Sequence, residues 1–473
     1  MVFMINWQLI QDFIDKEWQD NIIQSLSEYI KIPNKSPSFD ENWQNNGYME
    51  QAVEHIANWC RTHATKNMKL EILRLPSRTP LILIDIPGNI EKMVLLYGHL
   101  DKQPEMEGWA DNLSPWHPVL KNGRLYGRGG ADDGYAVFSA ITAIRALQEQ
   151  NLPHGHCIIL IEACEESGSY DLPYYFEKIK DQIGTPDLVI GLDSGAGNYD
   201  QLWLTTSLRG VMTIELTISL LTEGIHSGYG SGIVADSFLV LRDLLSRIEN
   251  EKTGEMIIPE LYCQIPETRV KQAVDCSQIL GNEIYSSLPL QEKVIPITNN
   301  LTELILNRTW RPSLTIIGAD GIPSLIDGGN VLRPYTSLKL SLRLPPLVHY
   351  NEAMTALEKV LIQNPPYNAK ISFKLEHAAN GWHSPILHSW LEDAVNKASL
   401  QFYKRPAAYQ GEGGSIPFIG MLGEQFKEAQ FVITGVLGPH SNAHGPNEFL
   451  DIEMAKKLTA CVSYIVYQHG QQN

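Results

Sequence analysis

Four short runs of almost unbroken apolar residues narrow the folds open to this chain. They are residues 81–86 (LILIDI), 93–97 (MVLLY), 157–161 (CIILI) and 188–192 (LVIGL). Apolar runs of about five residues, bounded by polar turns, predict strands buried on both faces, as in α/β sheets. Helical stretches lie between or around them, at 7–32, 49–65, 135–149 and 172–180. The pattern changes after Arg209-Gly210. Met212, Ile214, Leu216, Ile218 and Leu220 are apolar at period two, as are Leu338, Leu340, Leu342 and Leu344. Strict alternation predicts sheets with one face in water or a cleft. Helical stretches at 236–250 and 351–363 accompany these strands, so this segment is α+β. From about residue 384 the first style returns, with predicted elements at 388–402, 431–434 and 451–467. The expected architecture is an α/β, mixed-sheet domain built from residues 1–208 and 382–473, interrupted by an inserted α+β domain at 209–381.

Bulk properties exclude some functions. With 43% hydrophobic and 19% charged residues, the chain reads as folded and globular. Its net charge of −17 argues against a nucleic-acid partner, whose phosphates require a basic surface, and weakly against anionic membranes. No apolar run is long enough to span a bilayer. The N-terminal stretch MVFMINWQLIQDFIDKEW has acids among its apolar residues and no basic leader, so it does not read as a signal peptide. The 6 cysteines are scattered without a CxxC pair and read as reduced core thiols of a cytoplasmic protein.

The chemistry gathers around residues 124–135, RLYGRGGADDGY. Gly127, Gly129 and Gly130 there suggest unusual dihedrals or a close approach. Asp132 and Asp133 stand at the mouth of an apolar helical run, where carboxylates need a cation or donors. A metal ion is one solution; an N-capped polar turn is the other. Further polar groups follow the apolar runs: His99 and Asp101 after MVLLYG, Glu165 and Glu166 after CIILIEAC, and Asp193 after LVIGL. In open α/β sheets, sites lie beyond the carboxyl ends of strands, so these groups are placed to converge. On extended chain, Asp101 would face the same side as His99 and accept its free imidazole N–H, the usual support of a histidine ligand. Adjacent glutamates can divide into a ligand and a free base. His440 and His444 share a Pro/Gly-rich loop, and one ligand is expected there. Singly, each has a plainer reading as a hydrogen-bonded or solvated group. Together they offer histidines and carboxylates without cysteine, a set suited to Zn²⁺, Mn²⁺ or Co²⁺ rather than a structural zinc.

The stretches YGHLDKQP, GRLYGRGGADDG, EACEESGS, GLDSG, HSGYGSG, QGEGGSIPF and AHGPNE, in this order and spacing, resemble the M20 metallopeptidases. The likeness is greatest to cytosolic non-specific dipeptidases and carnosinases. It implies a dinuclear site, with two Zn or Mn ions and an inserted lid or dimerisation domain. By position, Asp132 would bridge the ions, with His99 and Asp193 on one and Glu166 and His444 on the other. Glu165 would be the general base and Asp101 the residue orienting His99. A cis peptide is expected at Asp132-Asp133. In the insert, His226 matches a histidine that reaches the partner subunit's site and stabilises the oxyanion. Arg343 matches an arginine binding the substrate's terminal carboxylate, and Asn330 and Ser415 match weaker substrate contacts. The sequence departs from many members at Gly134, where they carry Lys, and from some at Asn330, where they carry Thr.

The resemblance thus implies a cytoplasmic homodimer that hydrolyses dipeptides or short peptides. An N-acyl-amino-acid amidohydrolase of the same family and a non-catalytic peptide-binding paralogue are the competing expectations.

Overall fold

The structure, a computed structural model, describes residues 5–472. The first four residues of the stretch read above for a leader therefore lie outside it. The chain divides into two compact units. One comprises Met1–Thr206, Ser384–Gln410 and Met421–Asn473; the other comprises Ser207–His383 and Gly411–Gly420.

The apolar runs of the first unit are strands of one mixed sheet. Its order includes Lys69–Leu73, Leu81–Ile86, Gly155–Glu162, Ile90–His99, Leu188–Gly191 and Gln430–Ile433. The last four are mutually parallel, whereas Leu81–Ile86 runs antiparallel to its neighbours. Residues 94–97, 157–162 and 188–191 are buried, as strands covered on both faces must be. One cover is the helix Tyr135–Glu149, so apolar around its circumference that it sits inside the domain. The C-terminal helix Ile452–Gly470 packs on it: Ser463 Oγ donates to the Ala143 carbonyl at 2.9 Å. Asp451 caps that helix by accepting from the Met454 N–H at 3.0 Å. At the other end of the chain, the predicted 7–32 helix is interrupted. Helices Trp7–Glu17 and Ile23–Ile30 flank a π-helical turn, Trp18–Ile22, that buries Trp18 and Ile22.

The carboxyl ends of the parallel strands decide where the chemistry sits. His99 is the last residue of its strand, Glu165 and Glu166 follow Glu162, and Asp193 follows Gly191. The chain leaves the His99 strand toward Gly155–Glu162 on one side and Leu188–Gly191 on the other, so the strand order reverses there. A crevice at such a reversal is the usual ligand position in this architecture.

The second unit holds an antiparallel sheet in the order Ser313–Asp320, Tyr335–Leu344, Gly210–Ser219, Lys370–Ala379. Met212, Ile214, Leu216 and Ile218 share a core with Leu338, Leu340, Leu342 and Leu344, the faces read from the alternation. Helices Ser237–Ser246 and Tyr350–Ile362 close that core with Val240, Leu241, Leu244, Leu357 and Leu361. Residues 411–420 pack with this unit, although the sequence reading kept 382–473 in one piece. The cause is local. Arg209 Nε donates to the Gly413 carbonyl at 3.1 Å, and Ser415 Oγ donates to the Arg209 carbonyl at 2.5 Å.

All 6 cysteines are free, and all but Cys263 are buried. Among the described residues, no helix is long and apolar enough to cross a membrane.

Candidate active site

Two groups of metal-ligating side chains lie in the first unit and share one carboxylate. His99, Asp132 and Asp193 form one; Asp132, Glu166 and His444 form the other. Within each group the ligand atoms lie inside 4.8 Å of one another. His99 Nε2 is 3.2 Å from Asp132 Oδ1 and 3.7 Å from Asp193 Oδ2. His444 Nε2 is 3.0 Å from Asp132 Oδ2 and 3.2 Å from Glu166 Oε2. Asp132 thus offers one oxygen to each group. Among His and carboxylates at these distances, divalent cations that take nitrogen and oxygen donors fit.

The electrostatics favour a cation too. Burial pushes Glu165 and Glu166 well above the usual carboxylate range, and the charges of Asp193 and Asp132 respectively push them further. Burial likewise pushes Asp193 up to about 6, against the pull of His99. Burial would raise Asp132 as well, but hydrogen bonds from His444 and His99 hold it well below its ordinary value. Acids crowded in a low-dielectric cleft are costly when ionised, and a cation among them removes that cost.

Several of these candidate ligands are held by neighbours. His99 Nδ1 lies 3.1 Å from the Asp101 carbonyl oxygen and 3.5 Å from Asp101 Oδ1. The expected imidazole–carboxylate pairing is therefore mainly an imidazole–carbonyl one. The chain turns after the strand, and the Asp101 carboxylate also accepts from the backbone N–H groups of Glu165 and Glu166, each at 3.0 Å. Either acceptor leaves Nε2 facing the cleft. The Asp132-Asp133 peptide is cis. Asp133 accepts from the His99 backbone N–H at 3.2 Å, and Gln103 Nε2 donates to Glu166 at 2.6 Å. At Gly134, an added Cβ would meet the Tyr29 ring at 2.3 Å and the Gly129 carbonyl at 2.6 Å, so Tyr29 fills the space a larger residue would need.

Sequence reasoning missed the roles of Asp133 and Gln103. It also missed a buried ion pair, Arg128–Glu448 at 2.6 Å. Arg128 donates to the Gly445 carbonyl at 2.8 Å as well, and Glu448 accepts from the Gly129 N–H at 2.9 Å. This pair fastens the loop of His444 to the turn of Asp132. Both residues stood inside the matched motifs, and nothing in either motif alone paired them. Arg128→Ala would leave Glu448 buried without its partner, a loss of about 3–5 kcal/mol. Urea denaturation is expected to show that loss; a change under 1 kcal/mol would assign the pair no structural weight.

The remaining candidates lie in the second unit, in two pairs. His226 and Asn330 are neighbours at a short ladder in which His226 faces Val331 and Ile225 faces Leu332. Both are exposed, and the Asn330 carbonyl accepts from the Ser227 N–H at 2.9 Å. Arg343 and Ser415 form the other pair, with Nη1 3.4 Å from Oγ. Among the described residues, no carboxylate lies within ion-pairing distance of Arg343. Its guanidinium is thus free to take an anion.

Comparison with known proteins identifies the family. Residues 95–468 match peptidase family M20/M25/M40. The beta-Ala-His dipeptidase of Rattus norvegicus is 30% identical over 487 residues, covering 96% of this chain and 95% of that protein. The cysteinylglycine-S-conjugate dipeptidase of Corynebacterium striatum is 24% identical over 451 residues, with 92% of each chain covered. The solved structure of the di-peptidase Dug1p from Saccharomyces cerevisiae superposes with a TM-score of 0.76 at 22% identity, over 99% of both chains. A Bacillus subtilis structure described as a dinuclear metal binding peptidase from M20 family shares the fold with a TM-score of 0.57. The chain therefore belongs to peptidase family M20/M25/M40, and is by kind a hydrolase of peptide bonds.

Proposed function

We propose that this chain is a two-metal dipeptidase in which Glu165 acts as general base. The observation that carries the proposal is the pair of three-donor groups joined at Asp132, with Glu165 beside Glu166 on the same turn. The names of its relatives, dipeptidases of cysteinylglycine and of beta-Ala-His, support the substrate class. His99, Asp132 and Asp193 would hold one ion; Asp132, Glu166 and His444 would hold the other. When bound, divalent ions there supply the Lewis acidity that brings the pKa of a water toward neutrality. Zn²⁺ and Mn²⁺ both suit the donors.

The protein groups do the rest. Glu165 takes the water's proton and delivers it to the leaving amine. Its raised affinity for protons suits both halves of that transfer. Asp101 fixes the turn carrying Glu165 by accepting from its N–H. Arg343 holds the terminal carboxylate of the substrate by a charge-assisted pair, supported by its lack of a carboxylate partner. Ser415 and Asn330 contribute lesser polar contacts. His226 donates to the oxyanion; one such donor is worth about 2.7–4 kcal/mol.

The protein is a cytoplasmic homodimer on this reading, and His226 serves the partner's centre. An exposed sheet edge supports self-association: strand Ser313–Asp320 presents Ile316 and Ile317, 44% and 53% exposed. Co-expressed Glu165→Ala and His226→Ala chains are then expected to regain part of the lost activity, because one centre of each mixed dimer is intact. No regain in purified mixed dimers would assign His226 to its own chain's centre.

The test of the substrate class is hydrolysis of a free dipeptide and its N-acetylated form, side by side, with added Mn²⁺ or Zn²⁺. Cleavage of the free dipeptide is expected. Cleavage of the acetylated compound alone would make the chain an acyl-amino-acid hydrolase. No cleavage of either, with metal bound, would make it a peptide-binding paralogue.

A further inference from the structure

Beside the candidate centre lies a lysine that the mechanism leaves unused. Lys102 is fully buried. Its Nζ donates to the carbonyls of Tyr29 and Ile32, both at 2.8 Å. These carbonyls belong to the end of the helix Ile23–Ile30 and the turn after it, where the helix dipole is negative; the Tyr29 carbonyl also accepts from the Ile32 N–H at 3.1 Å. The amine also lies over the Tyr29 ring, 3.8 Å from its centroid. Burial pushes it well below the usual lysine value. Neutral or charged, it has the donors both carbonyls need.

Lys102 is one fastening of a longer strap. The segment 29–38 runs along the two loops that carry Glu165, the candidate ligands His99 and Glu166, and their supports Asp101 and Gln103. On the His99 side, Asn34 Nδ2 donates to the Leu100 carbonyl at 2.6 Å. The Lys102 N–H donates to the Asn34 carbonyl at 3.2 Å, and the Ser36 N–H to the Lys102 carbonyl at 2.9 Å. On the glutamate side, Ser36 Oγ meets Ser167 Oγ at 2.5 Å, and the Ser38 N–H donates to Ser167 Oγ at 2.9 Å. Ser167 follows Glu166 directly. The Lys102 stem touches a third loop. An added Cβ at Gly129 would sit 2.6 Å from Lys102 Cε, so that glycine, at φ +77°, makes room for the lysine three residues before Asp132.

We propose that Lys102 is a positioning residue for the metal centre. Through the strap 29–38 it sets the spacing between the loop of His99 and Asp101 and the turn of Glu165 and Glu166. The inference rests on the two-ion reading of that centre. The strap's two ends hold loops that are distant in sequence; the contacts on the His99 side are buried, and those to Ser167 are part-buried and exposed. Loosening either end would let the donor groups drift apart without removing a ligand.

The experiment is metal binding by calorimetry on the full chain, with Mn²⁺ as probe, beside steady-state kinetics and thermal unfolding. Lys102→Met keeps the length of the side chain and removes the donors. It is expected to weaken Mn²⁺ binding about 10–100-fold, the range for residues that support ligands from outside. It is also expected to lower kcat with KM changed less than about twofold, because no substrate contact is lost. Ser36→Ala loosens the other end and is expected to act in the same direction. The double variant should fall short of the product of the two losses, since one strap carries both. Unchanged Mn²⁺ affinity and kcat in a folded Lys102→Met, with only a lower melting temperature, would overturn the proposal. Where Lys102→Met does not fold, unchanged affinity and kcat in Ser36→Ala overturns it equally. A wild-type chain that binds no Mn²⁺ or Zn²⁺ would instead sink the two-ion reading, and the inference with it.

Discussion

Asp132→Ala is expected to empty both metal positions at once. Each group of donors takes one oxygen of this carboxylate, with His99 at 3.2 Å from Oδ1 and His444 at 3.0 Å from Oδ2. Losing a residue that merely supports a ligand costs about 10–100-fold in affinity, so the shared ligand should cost more than about 100-fold for each ion. Turnover should fall to the limit of detection. Metal analysis of the purified variant checks this directly. A variant that retains one ion at full affinity would show that Asp132 belongs to a single position. The variant's stability needs separate measurement, because the removal cuts two ways. His99 and His444 lose their acceptor, but Glu166 and Asp193 lose a neighbouring charge that raises their affinity for protons.

Glu165→Gln is the second change with a large expected effect, and it separates catalysis from metal binding. Glutamine keeps the shape and loses the basic oxygen. If Glu165 is the base, kcat should drop about 10²–10⁴-fold while both ions remain bound. Glu166→Gln should do the reverse: its oxygen stands 3.2 Å from His444, so the ion of that group should be lost. Metal loss in the Glu165 variant, with activity kept in the Glu166 variant, would exchange the two roles. The adjacent backbone helps make the test clean. Asp101 accepts from the N–H groups of both residues, so the turn should hold with either side chain changed.

These variants are cheap to choose because much of the site was legible as motifs. His99, Asp132, Glu165, Glu166, Asp193 and His444 each stand in a matched stretch; His99, Asp132, Glu166, Asp193 and His444 come together, and Glu165 precedes Glu166 on the same turn. Asp101 shows where reading along the chain falls short. Spacing on an extended strand sent its carboxylate to the His99 imidazole. One carboxylate oxygen does lie 3.5 Å from the imidazole, but the strand ends at His99, and the same carboxylate also accepts from two N–H groups more than sixty positions away, which spacing along the chain did not show. Arg128 and Glu448 show the same limit, separated by 320 positions and joined in space. Lys102 stands in a matched stretch that says nothing of its acceptors, which are carbonyls about seventy residues earlier.

By itself, then, the amino-acid sequence determined where strands and helices form and which residue types stand at strand ends. Burial on both faces writes itself as unbroken apolar runs, and a half-buried sheet writes itself as alternation; both are local patterns. Tertiary structure alone decided which donor meets which acceptor. It gave Asp101 two backbone partners besides His99, paired Arg128 with Glu448, folded 411–420 onto the Arg209 region and buried Lys102 under the strap. A hydrogen bond between distant residues leaves no periodic trace, because it depends on where two chain segments cross rather than on what either one buries.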